Sequence, residues 1–162
     1  GNQEYLRFNV ATTFTRAAEE SLIDVGSSLH IGARGPTNDS TVFNHTREVG
    51  YGLINGSELF KTGLNNTAKR VVKTLKGRSV YLCFDMDFFD PSCAPGVCTP
   101  TWGGATSREG LEFLQNLAGL NLVGADINTV SPPHDISGMT AFLAATVGLE
   151  ILTLFCHSKN LI

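Results

Sequence analysis

The sequence predicts an α/β fold, a parallel sheet covered by helices. Three observations carry that prediction. Short apolar runs at 79–84 and 121–127 have the length and content of buried strands. Segments with helical spacing of apolar residues stand between and after them. Finally, Asp85, Asp87 and Asp126 fall where those strands are expected to end, the edge at which open parallel sheets bind ligands.

Taken in order, residues 12–23 read as a helix. Thr12 or Thr13 can cap it, and Phe14, Ala17, Ala18 and Leu22 recur on one face. A short strand follows at 28–33 and stops at Arg34-Gly35-Pro36. Residues 40–49 read as a weak helix and 51–54 as a short strand. Residues 64–75 form an amphipathic helix that ends at Gly77, with Lys69, Arg70, Lys73 and Lys76 toward its negative end. After the strand at 79–84 comes a Pro-, Gly- and Cys-bearing loop, 85–104. Thr106-Ser107-Arg108-Glu109 matches a capping box and opens a helix to about residue 117. The strand at 121–127 leads into a loop, 128–137. A final apolar helix, 138–155, is expected in the core: Thr140, Thr146, Gly148, Glu150 and Thr153 interrupt it too often for a membrane span.

The chain has 162 residues, 42% of them hydrophobic and 17% charged, with a net charge of −3. That is enough chain for one domain with its own core. No Lys/Arg-rich run is present, which argues against nucleic acid or an acidic membrane as partner. Residues 1–9 are polar and charged, so no secretion signal is read there. Cys83, Cys93, Cys98 and Cys156 form no CxxC pair; reduced thiols and a cytoplasmic location are expected. The sequons at Asn38, Asn44, Asn55 and Asn65 are then read as polar loops.

The densest chemistry lies in Phe84-Asp85-Met86-Asp87-Phe88-Phe89-Asp90-Pro91. Carboxylates packed this closely behind a buried strand repel one another and lose hydration, so a cation is the natural compensation. Asp85 and Asp87 are two residues apart; in an extended strand end both side chains face the same way and can hold a hard metal ion. Asp90 precedes a proline and is expected either to cap backbone N–H groups or to orient a ligand from behind. The alternative for all three is a solvated acidic turn. Cys93 and Cys98 are read as small fillers, and Trp102 as packed over its loop. His30 is read as a core or sheet residue, His45 as exposed and His157 as part of a frayed terminus.

Residues 81–91, followed by Ala94-Pro95-Gly96 and Thr99-Pro100, resemble the ureohydrolase (arginase/agmatinase) signature. Gly103-Gly104, residues 106–109, residues 119–126 and Val130-Ser131-Pro132-Pro133-His134-Asp135 continue the resemblance. It implies a three-layer arginase-like fold and an agmatinase-like amidinohydrolase that breaks a guanidino C–N bond and releases urea. It also implies a binuclear manganese centre, or nickel, and a homo- or hetero-oligomer, a trimer or hexamer. By the same resemblance Asp85 and Asp87 are metal ligands and Asp90 and Asp126 support the site from behind. Thr99, Thr129 and His134 are then substrate-side residues.

Three departures qualify what the resemblance implies. The family's Gly-Gly-Asp-His and Asp-Ala-His-x-Asp motifs, which supply its other metal ligands, do not occur in these 162 residues, so the chain resembles the C-terminal portion of a member with an incomplete metal site. The family's His-Gly-Thr reads Val10-Ala11-Thr12, and valine carries no proton. The family's Glu-Val-Ser-Pro-Pro begins with Thr129, which offers a guanidinium no charge. The expected alternatives are therefore a non-catalytic paralogue that supports an active subunit, or an inactive fragment. No residue is assigned a catalytic role on the sequence alone.

Overall fold

The computed structural model describes residues 7–36 and 41–161. They divide into two units: Gly1–Ile31 with Pro36–Ile54, and Gly32–Gly35 with Asn55–Ile162.

In the first unit Asn9 caps a 3-10 turn, Val10–Thr12, by accepting from the Ala11 amide at 2.9 Å, and α1 (Thr13–Glu19) follows. The helix stops four residues short of its expected end. Ser21 adopts φ +54°, and the bonds Leu22 N–H to Ala17 O (2.9 Å) and Ser21 N–H to Ala18 O (3.1 Å) close a Schellman motif, with serine where glycine is usual. Strand β1 (Leu29–Ile31) pairs in parallel with β2 (Gly52–Ile54), and α2 (Val42–Val49) lies between them in sequence. Gly52 is required at that pairing: a Cβ there would lie 2.4 Å from Leu29 Cδ2. His30 sits edge-on between Phe14 and Tyr51, with centroids 5.5 and 4.8 Å away, and burial holds its pKa below the ordinary value. The Tyr51 hydroxyl donates to Phe14 O at 2.6 Å, tying α1 to the strand pair.

The second unit holds α3 (Gly56–Thr62), α4 (Leu64–Thr74), β3 (Ser79–Asp85), α5 (Ser107–Gln115), β4 (Asn121–Asn128) and α6 (Met139–Ser158). Helix α3 was not expected from the sequence. Asn55 caps it by accepting from the Glu58 amide at 2.9 Å, but Gly56 and Gly63 beside so short a helix read as turn. Strands β3 and β4 are parallel, as the alternation predicts, with a bulge at Val80/Tyr81. Leu59, Met86, Phe89, Leu114, Leu122 and Val147 are fully buried. Phe84, Phe88, Phe89 and Phe113 form an aromatic cluster at the head of β3.

Two expectations about coverage change. Helix α6 packs on β4 and α5 and buries Thr140, Val147, Ile151 and Leu154, but Met139, Phe142, Leu149 and Leu152 are exposed, so it is not a fully buried core helix. It is long and apolar enough to cross a membrane by length and composition. Its last turn carries His157 inside regular helix, not in a frayed end. Trp102, expected to pack over its loop, is 76% exposed.

Candidate functional site

Strand β3 delivers Asp85 as its last residue, and the chain then turns at once. The Asp87 amide donates to Asp85 Oδ1 at 2.8 Å and opens a 3-10 turn, Met86–Phe88, anchored by fully buried Met86. The expected extended geometry therefore fails at this point: a carboxylate that bonds the amide two residues ahead makes a turn. The two side chains remain neighbours. Burial raises the Asp85 pKa first, and the adjacent Asp87 charge adds to it.

Each carboxylate is met by a threonine. Thr99 Oγ1 donates to Asp87 Oδ2 at 2.9 Å, and Thr129 Oγ1 donates to Asp85 Oδ1. Thr129 sits at φ +66°, a left-handed conformation that strains a β-branched residue. Its carbonyl accepts from the Cys98 amide at 3.0 Å, and Gly96 O accepts from the Ser131 amide at 2.8 Å, so the two loops run side by side. Thr140 and Asp135 fasten that pair to α6. Thr140 Oγ1 accepts from the Gly96 amide at 2.9 Å, and the Asp135 carboxylate accepts from the Thr140 and Ala141 amides at 2.9 and 3.0 Å.

Asp90 takes the capping role of its two expected ones. It accepts from the amides of Ser92 (3.0 Å), Gly103 (2.9 Å) and Gly104 (3.3 Å), and the Ser92 hydroxyl first, then these amides, bring its pKa down to about 2. Asp126 is displaced from its expected position. Strand β4 runs on to Asn128, which pairs with Asp85, while Asp126 pairs with Cys83 two residues back. There it accepts from the Tyr81 hydroxyl at 2.8 Å, Asn128 Nδ2 at 2.9 Å and the Cys83 thiol at 3.4 Å. Burial, then the Asp126 charge, pushes the Cys83 pKa up to about 11, leaving a neutral thiol. His134 lies exposed in the turn Pro132–His134, its Nδ1 2.7 Å from Ser131 Oγ. All four cysteines are free, and Glu150 accepts from Gln115 Nε2 at 3.1 Å.

The structure thus brings together Asp85, Asp87, Thr99 and Thr129, and holds Asp90, Asp126 and His134 in contacts of their own. The sequence reading missed the parts played by Arg34, Asn128, Asp135 and Thr140. An acidic residue just ahead of α6 was the available signal for Asp135. Arg34 stood out only as the Arg34-Gly35 pair after the first strand, which fits the family resemblance; its role was not legible, because its partners are backbone carbonyls 53 to 67 residues away.

A metal pair fits these residues poorly. Asp85 and Asp87 offer hard oxygen ligands, but no group of three His, Cys, Asp or Glu side chains able to hold a metal ion exists among the described residues. A transition-metal pair wants imidazole as well. Both carboxylates already accept threonine hydroxyls.

A parallel α/β unit with paired aspartates at the carboxyl end of a strand, in a loop of this sequence, defines the class: an arginase-like fold. A profile of the Arginase family matches residues 2–153. Over 147 residues the chain is 38% identical to guanidinopropionase of Pseudomonas aeruginosa, a match that covers 91% of this chain and 46% of that protein. It is 34% identical over 139 residues to the mitochondrial guanidino acid hydrolase of Homo sapiens, covering 86% and 40%. Among solved structures, the proclavaminate amidino hydrolase from Streptomyces clavuligerus superposes with a TM-score of 0.86 at 35% identity, over 94% of this chain and 50% of that one. A hypothetical agmatinase from Burkholderia thailandensis gives 0.82 at 34%, over 94% and 46%. The chain belongs to the Arginase family. It spans about half the length of the curated relatives it matches.

Proposed function

We propose that this chain forms part of an amidinohydrolase that cleaves the guanidino C–N bond of a small guanidino compound, agmatinase-like and urea-releasing. The observation that supports it is the Asp85–Asp87 pair at the end of β3, in a chain whose relatives are named for guanidino hydrolysis. On this reading the two carboxylates are the anionic centre of the site. Thr99 and Thr129 orient them, and His134 lies on the rim. The reading includes a manganese or nickel requirement, an oligomer and a cytoplasmic setting. Asp85 and Asp87 alone do not complete a metal pair, so no chemical step is assigned to one here. The test is urea release from 3-guanidinopropionate, 4-guanidinobutyrate, agmatine and arginine by the purified full-length gene product supplied with Mn2+ or Ni2+. Urea from any of the four supports the reading. None from all four, under both metals, refutes it.

One observation favours a second reading. Both carboxylates are satisfied by neutral hydroxyls, and position 129 holds threonine bonded to Asp85 in place of a carboxylate free to meet a guanidinium. Such a chain suits a non-catalytic partner of an active family subunit. Co-purification with such a subunit, with turnover only by the mixture, is the expected result. A chain that hydrolyses a guanidino compound unaided rules this out.

A further inference from the structure

The geometry points to Arg34 as the positioning residue for the Asp85–Asp87 end of the sheet. Its Nη2 is shared among three backbone carbonyls: Asp87 O, Phe89 O (3.1 Å) and Thr101 O (2.8 Å). Those carbonyls belong to the two limbs of loop 85–104. Asp87 and Thr101 lie in no described strand and Phe89 only in an isolated bridge to Ala105, and a buried carbonyl without a donor is costly. A guanidinium can serve several acceptors at once and never loses its charge.

The contacts close a ring. Arg34 holds the carbonyl of Asp87 on one limb and of Thr101 on the other. Thr101 Oγ1 donates to Thr99 O at 3.2 Å, and Thr99 Oγ1 donates to Asp87 Oδ2 at 2.9 Å. Both ends of the bond that orients the Asp87 carboxylate are thereby fixed by one side chain. Arg34 touches neither carboxylate's oxygens in this ring; it acts through the Asp87 backbone and through Thr101.

The surroundings are cleared for that guanidinium. A Cβ on Gly104 would lie 2.6 Å from Arg34 Nη2, one on Gly35 2.6 Å from Thr101 Cγ2, and one on Gly56 3.1 Å from Arg34 Cβ. Arg34 Nε is buried with no hydrogen-bond partner. The arginine is held for what Nη2 reaches, at the expense of an unsatisfied donor.

The functional meaning of this assignment rests on the reading of Asp85 and Asp87 as the working end of the sheet. Its test does not use turnover, so a silent urea assay leaves it standing. The experiment is amide hydrogen exchange on the full chain, on Arg34→Ala and on Arg34→Lys. The reporters are the Asp87, Gly103 and Gly104 amides, and the amides of β4 serve as reference. In Arg34→Ala the three reporters should exchange about a hundredfold faster, in line with the loss of charge-assisted bonds, while β4 stays near its original rates. Guanidinium chloride on the order of tens of millimolar, far below denaturing concentrations, should return the reporters toward their original rates in that variant only. Uniform loss of protection across loop and β4, or no rescue by guanidinium, would overturn the assignment. If Arg34→Ala does not fold, Arg34→Lys decides. It keeps the charge but not the planar fork, and reporter exchange about tenfold faster is expected; unchanged reporters would overturn the proposal.

Discussion

Thr129 donates its hydroxyl to Asp85 Oδ1 from a left-handed backbone at φ +66°. The two facts belong together. The Cys98 amide bonds Thr129 O at 3.0 Å and Val97 bridges Val130, so the backbone at 129 is clamped by the neighbouring loop. A β-branched residue in that conformation costs about 1–3 kcal/mol. Here its hydroxyl supplies Asp85 Oδ1, half-buried beside Asp87, with a second donor alongside the Asp87 amide.

Three substitutions at this position separate strain from bond. Thr129→Val keeps the strain and loses the donor, so it should destabilise by about 2 kcal/mol. Thr129→Gly loses the donor but relieves the backbone, and should fall within about 1 kcal/mol of the parent. Thr129→Ser should match the parent closely. Urea midpoints at constant m-value measure all three. A valine variant as stable as the parent would show that the hydroxyl is not holding Asp85.

Two glycines make a second comparison. A Cβ on Gly110 would lie 2.1 Å from Phe89 Cε1, in the middle of the aromatic cluster, whereas Gly77 has nothing within 4 Å. Gly110→Ala should destabilise by about 3 kcal/mol through overpacking. Gly77→Ala should cost about 1 kcal/mol, from its φ of +78° alone. Thermal unfolding of the two variants gives the order. Because Phe89 also presents its carbonyl to Arg34, Gly110→Ala should loosen the loop amides of Gly103 and Gly104 as well.

What could be read from the sequence, and what could not, divides along the same physical line. The strands at Leu82 and Leu122 and the capping box at Thr106 and Glu109 were legible because local pattern and side-chain chemistry agree there. The family signature around Asp85 was legible as residue order. The turn at Asp87 was not, since a period-two reading assumes that the strand continues, and Asp85 ends it by bonding the amide ahead. Asp126 was misplaced for a related reason: strand length depends on pairing, and Asn128 opposite Asp85 carries β4 two residues farther. Helix α3 was hidden by Gly56 and Gly63. The exposure of Tyr81, Val123 and Trp102 has no counterpart in sequence pattern, which reports an apolar residue but not what covers it.

The pH dependence near neutrality should come from His30. Burial between Phe14 and Tyr51 disfavours the imidazolium, so the folded-state pKa lies below the unfolded value of about 6.5. The unfolded chain then binds more protons in the window beneath 6.5, and stability rises with pH there. The contribution is complete above the unfolded pKa and is lost as pH falls through 6.5 toward the folded value, at no more than about 1.4 kcal/mol per pH unit. His30→Phe should flatten the stability profile in that window. An unchanged slope in the variant would place the titration elsewhere.

Asp90 governs a separate, acid limb. Its carboxylate ties Ser92 on one side of the loop to Gly103 and Gly104 on the other, and these donors bring its pKa to about 2 from an ordinary 3.8. A carboxyl with a depressed folded-state pKa contributes stability that is present above the unfolded pKa and is lost as pH falls through the folded one. The window therefore runs from about pH 4 down to about pH 2. The carboxylate is only partly buried, so solvent and salt screen the effect and it should shrink as ionic strength rises. Asp90→Asn keeps an oxygen for one or two of the amides but cannot change charge. Its stability should be nearly independent of pH between 4 and 2 at this site, where the parent declines. Asp90→Ala removes the acceptors altogether and should speed exchange of the Ser92, Gly103 and Gly104 amides at neutral pH, when the parent carboxylate is fully charged. Parallel acid profiles for the parent and Asp90→Asn would show that the loop amides, not the charge they surround, set the geometry of this loop.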